Sequence, residues 1–189
     1  MSPNHLKELY DRLASVLARR PAFARLDGHA RVVNQAGLAC AVEVDRHVLR
    51  ADQGAAEGGS GTAPDPDQLM RASLGASVAM GCRIWAARLG VPIDDIELEL
   101  ATDADARGPL GVPTDVPIGW SHLRLDAKIS SPAPDEAVRR VFEMAVRLSP
   151  MLANLGPGVR RSHRLSIVRV PPPAGETERS VPSNGTPWK

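Results

Sequence analysis

The chain has 189 residues and a formal net charge of +1, with 43% hydrophobic, 24% charged and 3% aromatic residues. That length suits one domain of ordinary size with tails, and the apolar fraction supports a real core, which excludes a disordered chain, a collagen-like fibre and a coiled coil. Near-neutral charge and scarce aromatics leave neither an electrostatic footprint nor stacking platforms for nucleic acid.

Leu6, Leu9, Tyr10, Leu13, Val16 and Leu17 recur at helical spacing and predict an amphipathic helix over 4–19. Arg31-Val32-Val33, then Leu38, Cys40, Val42 and Val44 alternating with Ala39, Ala41 and Glu43, predict two strands with one buried face. Asn34-Gln35-Ala36-Gly37 supplies the turn of a hairpin, and a short third strand follows from His47 to Arg50. Residues 52–63, rich in Gly and Ala, read as a loop.

The strongest signals bracket the next helix. Asp65 suits an N-cap, Pro66 the first helical position and Asp67 the positive end of the helix dipole, while Gly90 and Pro92 terminate the run. From Ala72 to Cys82 the segment is small or apolar around most of its circumference, which predicts a helix buried on most sides. One sheet covers one side only, so an intimate homodimer is expected to supply the rest.

Ile96, Leu98 and Leu100 alternate with Glu97 and Glu99 as a strand, and residues 103–119 hold the breakers of a long loop. Trp120 to Ile129 alternates again, Pro134-Asp135-Glu136 opens a helix that meets Ser149-Pro150, and a last strand covers Arg164 to Val170. The tail from Pro171 holds five prolines among polar residues and is expected to be disordered. The order α-βββ-α-ββ-α-β predicts an α+β fold with an antiparallel or mixed sheet. It divides into an N-terminal helical extension (1–27), a core domain (28–170) and the tail (171–189). The apolar run at 72–82 is too short to span a bilayer and the N-terminus lacks an apolar leader. Cys40 and Cys82 suggest no secreted framework, so a cytoplasmic protein without a membrane or nucleic-acid partner is expected.

The stretch from Gly58-Gly59 through Pro64-Asp65-Pro66-Asp67-Gln68-Leu69-Met70 to Ala72-Ser73-Leu74-Gly75-Ala76-Ser77 resembles the OsmC/Ohr family of osmotically inducible and organic hydroperoxide resistance proteins. Ala145-Val146-Arg147-Leu148-Ser149-Pro150-Met151 is similar to that family's second motif, an alanine followed by Cys-Pro-Val. The resemblance implies an OsmC-like fold, a sheet wrapped around two long buried helices in an intertwined homodimer, with a role in oxidative stress and no cofactor. It also implies a thiol peroxidase site: one cysteine attacks a hydroperoxide and becomes a sulfenic acid, a second resolves it as a disulfide, and an arginine and a glutamate assist.

The chain departs from that pattern at each of these positions. Ser77 and Ser149 stand where the two cysteines belong, and Asp67 replaces the glutamate. The hairpin turn offers Asn34 and Gln35 in place of the arginine, with Arg31 the nearest cation. Serine has no sulfenate chemistry, so a dithiol cycle through Ser77 and Ser149 is excluded. Cys82 lies about 140° around the helix from Ser77 and faces elsewhere; it and Cys40 read as small buried hydrophobes. Ser77 lacks a Gly-x-Ser-x-Gly elbow, and Ser149 before Pro150 is placed to cap the next turn. His5, His29, His47, His122 and His163 show no metal-ligand spacing. Gly58 to Gly61 is not followed by the Lys of a phosphate loop. Arg160-Arg161-Ser162-His163-Arg164 is a basic cluster, read as a solvated strand start or as a patch for an anion or an acidic partner.

Three functions remain open. One is a family member without peroxidase activity that binds a small apolar or anionic ligand at the dimer interface, lined by Ser77, Ser149, Asp67 and Arg31. The others are a hydroperoxide reductase using Cys82 or Cys40, and a purely structural or regulatory dimer.

Overall fold

A computed structural model describes residues 2–113 and 115–171. The chain runs through helix α1 (Pro3–Arg19) and a short 3-10 turn (Pro21–Ala24) into strands β1 (Ala30–Asn34), β2 (Cys40–Val44) and β3 (His47–Ala51). Helix α2 (Pro66–Leu89), strands β4 (Asp95–Asp103) and β5 (His122–Ser131), helices α3 (Asp135–Arg147) and α4 (Pro150–Ala153) and strand β6 (Arg160–Arg169) follow. The predicted α+β order is present. The segment 172–189, expected to be disordered, lies outside the described residues.

Two three-stranded sheets result, β1-β2-β3 and β4-β5-β6. The first is an antiparallel meander; the second is mixed, with β4 antiparallel and β6 parallel to the central β5. A parallel pair needs a crossover, which α3 and α4 provide. The core lies between the second sheet and the helices. Leu123, Leu125, Ala127 and Ile129 of β5 meet Leu74, Val78 and Cys82 of α2 and Val138, Val141, Phe142 and Ala145 of α3.

Local chemistry sets the ends of α2. Asp65 accepts from the Gln68 N–H at 2.7 Å while the Gln68 side chain accepts from the Asp65 N–H at 3.1 Å, a reciprocal capping box. Gly90 closes the helix with φ of +67°, the left-handed conformation glycine adopts without strain.

Burial within the single chain differs from expectation. Only Leu74, Val78, Cys82, Ala86 and Ala87 of α2 are buried, and Met70, Ala72, Ala76 and Met80 stay open on its opposite flank. The second sheet, α3, α1 and the short α4 pack against the helix, and this flank stays open among the described residues. The first sheet is also uncovered: Val32 is 59% exposed, Leu49 48% and Val48 71%. Among the described residues it makes no substantial packing contact with any other element.

Two strand boundaries move as well. The fifth strand begins at His122 because the buried Trp120 turns inward to donate its indole N–H to Asp67. The sixth begins at Arg160, four residues before the expected Arg164, because its backbone pairs in register with β5 from His122 onward whatever its side chains. No helix of the described residues is long and apolar enough to cross a membrane.

Candidate functional site

Ser77 lies half-buried on α2, and Ser149, 3% exposed, joins α3 to α4. Pro150 starts the short α4 and Ser149 caps it, its Oγ accepting from the Leu152 N–H at 3.2 Å. The two hydroxyls meet, with Ser77 Oγ 2.9 Å from Ser149 Oγ across a separation of 72 residues. A close helix approach allows this. One turn along α2 from Ser77 is Gly81, where a Cβ would lie 3.2 Å from the Cβ of Ala145, one turn before Ser149. Ser77 therefore bonds to a residue of another helix, not to its own preceding turn.

Asp67 has other partners. Its Oδ1 accepts from the Trp120 indole and its Oδ2 from Arg71, whose guanidinium also donates to Thr102 Oγ1 at 3.0 Å. With both oxygens engaged, Asp67 ties the first turn of α2 through Arg71 to β4 and directly to Trp120, two residues before β5. Beside it opens a cleft of about 580 Å³, walled by Asp65, Met70, Ile118, Trp120 and Leu155 among others; Ser77 and Ser149 are not among its lining residues.

A second concavity, an open groove of about 410 Å³, runs between α2 and β4 along Ala72, Gly75, Ala76, Leu98 and Leu100, with Arg71 its one charged wall. Arg31 is elsewhere. It is exposed on β1 and donates across the first sheet to Glu43 at 3.2 Å. The structure thus joins Ser77 to Ser149, places Asp67 with Arg71 and Trp120, and leaves Arg31 in a separate cross-strand pair. Arg71 and Trp120 were not singled out from sequence. The four-residue spacing of Asp67 and Arg71 was a usable signal; nothing local points to Trp120.

Cys82 is a poor nucleophile. It is fully buried, and desolvation pushes its thiol up to about 12, so almost none is thiolate near neutrality. Cys40 is half-buried on β2, with its Sγ 3.8 Å from the Leu38 carbonyl. Among the described residues no group of three or more His, Cys, Asp or Glu side chains is placed to hold a metal ion.

Comparison with known proteins agrees with this architecture. The chain is similar to an OsmC-like protein from Mycoplasma pneumoniae, at 14% identity and a TM-score of 0.63 over 77% of this chain and 98% of that one. It is also similar to an organic hydroperoxide resistance protein OsmC from Legionella pneumophila, described as a predicted redox protein, at 17% identity and 0.58 over 75% and 97%. The organic hydroperoxide resistance protein OhrB of Bacillus subtilis aligns at 16% identity and 0.51 over 75% and 98%. At such identities these likenesses speak for the fold. No curated protein sequence matches. The family model of the OsmC-like protein matches residues 59–163, more than half of the chain and the span that holds both serine motifs; the chain belongs to the OsmC-like family.

Proposed function

We propose that this chain is a homodimeric, stress-related member of the OsmC/Ohr family that lacks thiol peroxidase activity and binds a small apolar or anionic ligand at its dimer interface. The observation that carries the reading is the 2.9 Å contact between Ser77 and Ser149. The two positions that match the family's cysteine motifs are neighbours in space, as a redox pair must be, yet both are hydroxyls. A serine hydroxyl neither attacks a peroxide as an anion at neutral pH nor passes through a sulfenic acid and a disulfide. The buried, protonated Cys82 offers no replacement.

Ligand binding draws support from the groove along α2, whose apolar floor and single guanidinium suit a small apolar body or one carrying an anionic group. Dimerisation draws support from the uncovered flank of α2 and the apolar residues exposed on the first sheet.

The test is dithiol-dependent consumption of cumene hydroperoxide, with a thermal-shift screen of short-chain carboxylic acids and hydrocarbons on the same preparation. No turnover is expected. A ligand binding only the folded dimer and present at about a hundred times its Kd adds about 2.7 kcal/mol of stability. Turnover at rates typical of the family would overturn the first part, and a flat screen would count against the second.

A further inference from the structure

The basic run at 160–164 is divided by the strand it belongs to, since neighbouring residues of β6 face opposite sides of the sheet. Arg161 and His163 share the inner face, where Arg161 donates to the Leu155 carbonyl at 3.0 Å and the His163 ring meets the Phe142 ring edge-on at 5.6 Å. Arg160 and Ser162 share the outer face with His122 and Arg124, because β5 and β6 run parallel with His122 opposite Arg160 and Arg124 opposite Ser162.

At this corner His122 Nε2 lies 2.8 Å from Ser162 Oγ, while Nδ1 lies 3.3 Å from an Arg124 nitrogen and 3.5 Å from an Arg160 nitrogen. A ring nitrogen flanked by two guanidinium donors is the accepting one. The neutral ring then carries its proton on Nε2 and donates it to Ser162 Oγ. The Ser162 O–H is left free to donate outward. Asp103, on β4, is bound by Arg124, with 2.7 Å between Nη2 and Oδ1, and lies 3.7 Å from His122 Nδ1. Among the described residues Arg160 has no carboxylate within ion-pair distance. Two guanidiniums here share one carboxylate. Farther along the same face the cations Lys128 and Arg164 are paired with Glu97 and Asp126, and Glu99 adds a further carboxylate, so the corner at Arg160 is the part of this face where cations outnumber carboxylates.

We propose that this corner is a binding site for a tetrahedral oxyanion, the phosphate or sulfate group of a small solute. Arg160 supplies its charge and fork of donors, Ser162 donates a hydroxyl hydrogen bond, and His122 holds Ser162 in position. The guanidinium fork can engage two oxygens and the hydroxyl a third, which a tetrahedral group offers and a carboxylate or a halide does not. The site lies on the outer face of the sheet, away from the core that holds Ser77 and Ser149, and stands independently of the function proposed above.

The experiment is a titration of the full chain with inorganic phosphate at constant ionic strength, read from the His122 imidazole signals by NMR. Chloride and phosphatidic-acid vesicles form the comparison arms. A saturable shift is expected with phosphate and with sulfate. Arg160→Gln should weaken phosphate binding about tenfold, the loss of one charge-assisted contact. Arg160→Lys should be intermediate, Ser162→Ala weaker than the native chain, and Arg164→Gln unchanged. An equal response to chloride, unaltered affinity in Arg160→Gln, or vesicle binding without binding of free phosphate would each overturn the proposal.

Discussion

Thiols in place of the Ser77 and Ser149 hydroxyls change what their contact can do. Oxygens 2.9 Å apart make a hydrogen bond, whereas sulfurs there need only close to about 2.05 Å, a movement that small χ1 adjustments supply. The double substitution Ser77→Cys with Ser149→Cys is expected to form an intrachain disulfide under mild oxidant, reversible by a dithiol, and to show hydroperoxide turnover that is not expected of the native chain. Thiol titration and non-reducing mass spectrometry check the first outcome and a peroxide assay the second. The two serines also differ in structural weight. Ser149→Ala removes a cap and should cost about 1 kcal/mol; Ser77→Ala leaves that cap in place and should cost less, as urea midpoints would show. The capping role of Ser149 was legible because a serine before a proline is a local signal. Its bond to Ser77 was not, since no spacing within one segment reports a partner 72 residues away. Asp67 gave a similar half-reading: its charge at the start of α2 was visible, while its hold on Trp120 depends on where β5 begins.

Among the elements, the loop before α2 hangs on one carboxylate. Asp52, 2% exposed, accepts from the Gln53, Ser60 and Thr62 N–H groups and from the Thr62 hydroxyl at 2.9 to 3.2 Å. Gly59 passes so close to Gln53 that a Cβ there would run into its carbonyl. The Thr62 backbone N–H first, then the Thr62 hydroxyl and the Ser60 and Gln53 N–H groups, hold the Asp52 carboxyl below its ordinary 3.8. A carboxyl with a lowered folded-state pKa contributes stability that is fully present above 3.8 and is lost as pH falls through the lowered value. Urea midpoints measured against pH should therefore fall below about pH 4, with a shallower fall in Asp52→Asn, which is also less stable at neutral pH. Equal slopes in both proteins would refute this assignment. The ends of α2 were legible to the residue because capping chemistry is local. The start of β6 was not, because Arg160 to His163 carry no alternating hydropathy and owe their strand to backbone pairing with β5.

At the scale of the whole molecule, the circumference of α2 argued for a second subunit, and the exposed apolar residues on the first sheet point the same way. Val32 at 59% and Leu49 at 48% exposure, on one face through Val42 between them, are costly to leave in water on a sheet that packs little against other elements of the described residues. Light scattering on the purified protein is expected to give twice the 20.2 kDa chain mass, through an obligate interface upwards of about 2,000 Å². Leu49→Asp, on the same face as Val32 and Val42, should shift it toward monomer or aggregate. A folded 20.2 kDa species of the native chain at micromolar concentration would sink this expectation.

Strand β6 reaches the sheet only after α3 and α4 have crossed it, and among the described residues it hydrogen-bonds to β5 along one edge alone. Pairings that enclose a long crossover form late, and segments that form late at an edge tend to come away first in excursions from the native state. Amide hydrogen exchange on the native protein should find β6 the most readily opened part of its sheet and β5, bonded on both sides, the most protected. Such openings would detach Arg160 and Ser162 from His122 while Ser77 and Ser149 stay together, so the outer face of the sheet and the serine pair would open at separate rates.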